Sequence, residues 1–128
     1  MTEAKANEIF RTKYPEGNII RKNVTSAGNK YWVTFNPNSK AYFYSATSYA
    51  ELLNRLGFKV VYRHNLETAK QQVEHYEEKI NKYKKGELDE FEILFGLTEE
   101  QLIENTEREL NDAKKRVNYY KNECIIID

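Results

Sequence analysis

In two segments between residues 65 and 121, apolar residues recur at alternating spacings of three and four. The first carries Leu66, Ala69, Val73, Tyr76, Ile80 and Tyr83; the second carries Leu102 or Ile103, then Thr106, Leu110, Ala113, Val117 and Tyr120. A repeat averaging about 3.5 residues stays on one helix face, so each segment predicts a helix with a single apolar seam. Each helix would run roughly 30 Å at about 1.5 Å per residue. The stretch between them lets the chain double back, which predicts an antiparallel, coiled-coil-like helical hairpin.

The ends of both helices are marked. Asn65 is placed to cap the first, Lys82, Lys84 and Lys85 crowd its negative end, and Gly86 stops it. Thr98 and Gln101 make a capping box for the second, with Leu97 placed to staple onto Leu102. Acidic residues open that helix, and Lys114, Lys115, Arg116 and Lys121 close it, matching its dipole. The connector 87–97 holds Leu88, Phe91, Ile93, Leu94 and Phe95, too apolar for a free linker. It predicts a short helix wedged under the hairpin.

The first half reads differently. Thr2 caps a short helix with Ala6, Ile9, Phe10 and Tyr14 on one face, stopped at Pro15-Glu16-Gly17. Three strands follow. Ile20, Lys22 and Val24 alternate with Ile19, Arg21 and Asn23; a turn at Ser26–Asn29 leads to Tyr31, Val33 and Phe35 alternating with Trp32 and Thr34. Asn36-Pro37-Asn38-Ser39 turns the chain again into a strand over Ala41–Tyr44. Ser48 and Glu51 form a capping box for a helix presenting Tyr49, Leu52, Leu53 and Leu56, and Gly57 ends it. Phe58–Tyr62 is a fourth strand candidate, and Cys124–Ile127 a β-prone tail that adds a strand or fills an apolar gap. The fold expected is α+β: a small antiparallel sheet of three to four strands with two short helices, extended by the hairpin. The division expected is 1–64 for the αβββαβ part and 65–128 for hairpin, connector and tail, in one continuous domain.

Charge divides along the same line. Residues 1–64 carry ten Lys or Arg against four Asp or Glu; residues 65–128 carry ten against sixteen. A basic face suits nucleic acid and an acidic face suits a basic protein surface. The single cysteine, Cys124, leaves no internal disulfide and no cysteine-based zinc site. No leader and no apolar run of some eighteen residues is seen, so the expectation is a cytoplasmic protein without a membrane partner. Asn23-Val24-Thr25 matches a glycosylation acceptor, which matters only in a secreted chain.

Catalytic patterns are absent from the sequence. The five glycines, Gly17, Gly28, Gly57, Gly86 and Gly96, are isolated and make no phosphate loop. His75 and Glu78 share a helix face, but two ligands make no metal site. Glu123 and Asp128 beside Cys124 oppose a low-pKa thiolate. No catalytic residue, cofactor or metal is therefore expected, and the chain reads as a binding protein rather than an enzyme.

Two binding surfaces suggest themselves. Trp32, Tyr42 and Tyr44 on a basic sheet suit base stacking, with Arg21, Lys22, Lys30, Lys40 and Arg55 as phosphate contacts to DNA or RNA. The order helix, three strands, helix over residues 2–57 resembles the double-stranded-RNA-binding domain. That family's Gly-Pro-x-His loop is here Ser26-Ala27-Gly28-Asn29-Lys30, and its basic helix start is Ser48-Tyr49-Ala50-Glu51. The strands and following helix also resemble the arm-binding domain of tyrosine recombinases. Neither resemblance carries a site residue over.

The other surface is the hairpin, with Glu74, Glu77, Glu78, Glu104, Glu107 and Glu109 offered to a protein partner. In size and in its combination of small sheet and acidic helices, the chain resembles accessory proteins of phages and mobile elements, among them anti-CRISPR inhibitors. That resemblance is one of build and covers no motif. It implies inhibition of a host protein or nucleoprotein effector that handles nucleic acid. A homodimer through the same heptads, acting in assembly, is a further expectation.

Overall fold

A computed structural model of the chain describes residues 1–24 and 28–128. The turn expected over Ser26–Asn29, and Thr25 of the acceptor tripeptide, fall on or against residues 25–27, outside the described residues. The order of elements is α1 (Glu3–Phe10), β1 (Asn18–Val24), β2 (Gly28–Thr34), β3 (Tyr42–Ser45), α2 (Tyr49–Arg55), β4 (Val60–Tyr62), α3 (Arg63–Lys84), α4 (Glu90–Leu94), α5 (Glu99–Glu123) and β5 (Ile125–Ile127). The chain is α+β and divides into two units, Met1–Val61 with Cys124–Asp128, and Tyr62–Glu123.

In the first unit, β1, β2 and β3 form an antiparallel meander in that spatial order. Its inner face contributes Ile19, Tyr31 and Val33, none of which meets solvent. They share one core with Ala6, Ile9 and Phe10 of α1 and Tyr49, Leu52 and Leu53 of α2. Both helices begin where a side chain captures a free backbone N–H: Thr2 accepts from Lys5 and Ser48 accepts from Glu51. The Ser48 box is only half closed, because the Glu51 carboxylate accepts from the Thr47 N–H, one residue earlier, at 2.6 Å. Gly57 ends α2 with φ at +90°, a conformation that side chains resist.

The fourth strand does not extend the meander. β4 pairs with β5 in a two-stranded sheet, and the Ile125 N–H donates to the Lys59 carbonyl at 2.8 Å. Ile127 brings the tail into the same core, where it is buried.

The second unit is the hairpin. Leu66, Ala69, Ile80 and Tyr83 of α3 are buried, as are Leu102, Thr106, Leu110, Ala113 and Val117 of α5. Val73, Tyr76 and Tyr120 of the expected seam are half-buried. Residues 65, 68 and 72 lie near 116 and 120, and residues 77, 80 and 84 near 107 and 110, so the helices run antiparallel. The Arg116 guanidinium donates to the Gln72 side chain at 2.9 Å across the pair. Two expectations need correction here. α3 starts at Arg63, with Tyr62 at its cap and no side-chain capping bond, so Asn65 lies inside the helix. The connector does form a short helix, but it is not wedged under anything: α4 buries no residue.

Candidate functional site

Strand alternation assigns the outer face of the meander. The register aligns Ile20 with Trp32 and Trp32 with Phe43, making one row across all three strands. The next row outward is Lys22, Lys30 and Ser45. The first row is open to solvent: Ile20 is 46% exposed, Trp32 37% and Phe43 46%. Three apolar side chains side by side on a solvated face are unusual, since an outward strand position ordinarily carries a polar residue.

The two aromatic rings lie 5.4 Å apart and tilted by 54°. Each has a lysine over it: the Lys22 ammonium stands 6.0 Å from the Trp32 ring and the Lys30 ammonium 5.2 Å from the Phe43 ring. Both cations are drawn to the ring quadrupole and held at the surface beside the platform. From Gly17 to Ala50 the chain has no Asp or Glu, while it has Arg21, Lys22, Lys30 and Lys40. The face can therefore stack planar groups and neutralise an anion beside them.

The structure redistributes the residues expected at this surface. Lys22, Lys30 and Trp32 are on the outer face. Arg21, Tyr42 and Tyr44 stand in the rows of Tyr31 and Val33, on the opposite face. Arg21 lies over the Tyr49 ring at 5.6 Å, and Tyr42 packs beside Phe35 with ring centroids 5.8 Å apart. Arg55 is committed to its own helix and strand: it pairs with Glu51 at 3.0 Å and donates to the Ser45 carbonyl. Hydrogen bonds from the Thr47 hydroxyl and N–H hold Glu51 below the usual carboxylate range, so that partner stays charged. Lys40 is exposed in the connection between β2 and β3. Ile20 and Phe43 are the members that the sequence reading missed. Phe43 sits in an unbroken aromatic run from Tyr42 to Tyr44, where no alternation announces which side faces out.

The six hairpin glutamates are all exposed, and several have lysines or an arginine beside them. Glu74 shares a groove with Lys70 and Lys114, and Glu77 and Glu107 share another with Lys84. Glu104 lies 3.9 Å from Arg108, and Glu109 acts on Tyr83. Among the described residues, no cluster of three or more His, Cys, Asp or Glu is placed to hold a metal ion. Among them, too, no helix is long and apolar enough to cross a membrane.

Compared with protein-family models, curated protein sequences and solved structures, the chain matches none.

Proposed function

We propose that this chain is a binding protein whose three-stranded sheet takes single-stranded nucleic acid on its outer face. The observation that carries the reading is the row Ile20–Trp32–Phe43 with a lysine over each aromatic ring. Bases unstacked from a duplex offer planar faces to such a platform, and the phosphates between them meet the ammonium groups. The flat apolar row has nothing to contact in an intact duplex, whose base faces are hidden. Stacking tolerates any base, so the preference is for single strands rather than for a sequence.

The chain has one tryptophan, so fluorescence excited at the red edge, where its ten tyrosines do not absorb, reports this face alone. Titration with short oligo(dT) and oligo(U) should quench Trp32 to saturation, and a duplex of equal length should compete weakly. Trp32→Ala followed by anisotropy of a labelled oligonucleotide, or Phe43→Ala by quenching, should weaken binding about 5- to 150-fold, since stacking on one aromatic is worth about 1–3 kcal/mol. Replacing Lys22 and Lys30 by Glu should weaken it further and flatten its salt dependence, because each phosphate contact adds about −0.7 to the slope. Affinity unmoved by all of these changes, or no quenching even at low salt, rules the sheet out.

A further inference from the structure

The connector between the two long helices combines two properties that seldom occur together. Phe91 is 71% exposed, Ile93 63%, Leu94 80% and Phe95 76%. On this helical turn Phe91 is three and four residues from Leu94 and Phe95, which places these three on one side, a patch of the kind that marks an interaction surface. The same stretch is strongly acidic: Glu87, Asp89, Glu90, Glu92, Glu99 and Glu100 lie within residues 86–101, with no Lys or Arg. The acid continues into α5, where Glu99, Glu100, Glu104 and Glu107 line a shallow groove around Ile103.

This patch is held in shape rather than left loose. A five-residue helix that buries nothing has no intrinsic stability, since helix nucleation is unfavourable. Local bonds supply it instead. Asp89 and Glu92 close a reciprocal capping box, with the Glu92 N–H donating to Asp89 at 2.8 Å. The Leu97 N–H donates back to the Glu92 carbonyl at 3.1 Å around Gly96, whose φ is +68°. Glu92 also lies close enough to the buried Tyr83 phenol of α3 to oppose its ionisation. Thr98 and Gln101 then fix the start of α5 by a second box, at 3.1 and 3.2 Å.

We propose that this braced, acid-rimmed apolar turn docks into an apolar groove of a partner protein edged by Lys and Arg. The charge selects that occupant. A second copy of the same turn would set six acids against six, and an anionic membrane surface would repel them. A groove with basic edges satisfies both features at once, with the phenylalanines and leucine as anchors and the acids as the polar rim. The inference concerns the second unit only and is independent of the sheet face. It places the protein-binding role expected of the hairpin at the turn rather than along the helix flanks.

The test uses the full chain and a defined probe, a fluorophore-labelled amphipathic helix of Leu and Lys, with a Gly–Lys peptide of equal charge as control. Saturable binding to the Leu–Lys peptide is expected, and much weaker binding to the control. Leu94→Ser with Phe95→Ser, both exposed and so expected to leave the circular dichroism spectrum intact, should weaken it about tenfold or more. Glu90→Lys with Glu99→Lys should do the same through charge alone. Equal binding of both peptides, or no effect of either double variant, overturns the proposal. So does patch-dependent self-association in sedimentation velocity, which would make a second copy the occupant. Patch-dependent cosedimentation with phosphatidylcholine vesicles would equally overturn it in favour of a lipid surface.

Discussion

Two asparagine side chains do the work of strand neighbours. Asn7 of α1 donates from Nδ2 to the Ile19 carbonyl at 3.1 Å and accepts the Ile19 N–H at 2.8 Å. Asn54 of α2 repeats the arrangement on Val60, at 3.2 and 2.8 Å. A side-chain amide carries one donor and one acceptor at the spacing of a peptide group, so it satisfies an edge residue that no strand covers. Asn7 is buried, and removing it leaves a backbone N–H and carbonyl without water or partner. Asn7→Ala should therefore lower stability by about 1–3 kcal/mol in urea unfolding, and Asn54→Ala by less, because its bonds are only partly buried. A loss for Asn7→Ala no greater than that of an exposed-surface alanine would show that the amide is dispensable. Nothing in the helical pattern around Asn7 announces this, since its polarity reads as a solvent position. Gly17 is similar. It reads as a helix stop, yet a Cβ there would sit 2.7 Å from the Thr34 carbonyl oxygen, so the close approach of β2 also requires it.

At the scale of elements, the hairpin seam was legible because burial repeats with the helix itself, and α3 and α5 bury the expected stripe. The fate of the connector was not. Apolar content says that residues want cover, but not whether the cover lies in the same chain, and α4 leaves its apolar side chains outside. The Tyr83 phenol of α3 lies beside the acids of α4. Burial, then the neighbouring Glu92 and the charges of Asp89 and Glu109, pushes its pKa up to about 12. An unfolded tyrosine ionises near 10, so between about 10 and 12 the unfolded chain releases a proton that the folded one keeps. The stabilising contribution is thus complete below pH 10 and lost as pH rises towards 12. Denaturant midpoints taken from pH 8 to 11.5 should fall more steeply for the wild type than for Tyr83→Phe. Parallel curves would show that the phenol's proton is not linked to folding.

For the molecule as a whole, the chain leaves the first unit after Val61 and returns to it at Cys124, so the hairpin unit is an excursion between two paired strands. The first unit contains its own core, closed by Ile127 of the returning segment. Replacing Tyr62–Glu123 by a turn of about four to six residues, the usual length of such connections, should leave that unit folded. Its amide NMR dispersion and Trp32 quenching by oligonucleotide should survive; collapse of the spectrum would show that the two units fold only together. The elements with a period, α1, the alternating strands, α2 and the two seams, were readable from residue order, because side-chain spacing maps directly onto helix and strand geometry. The charge division was readable too. The partnerships between elements were settled in the folded chain. β4 joined β5 rather than the meander, the register put Phe43 and not Tyr42 or Tyr44 beside Trp32, and the connector's apolar residues stayed in solvent. Those outcomes depend on pairing between residues far apart in the chain, and local periodicity carries no information about which distant neighbour a face will meet.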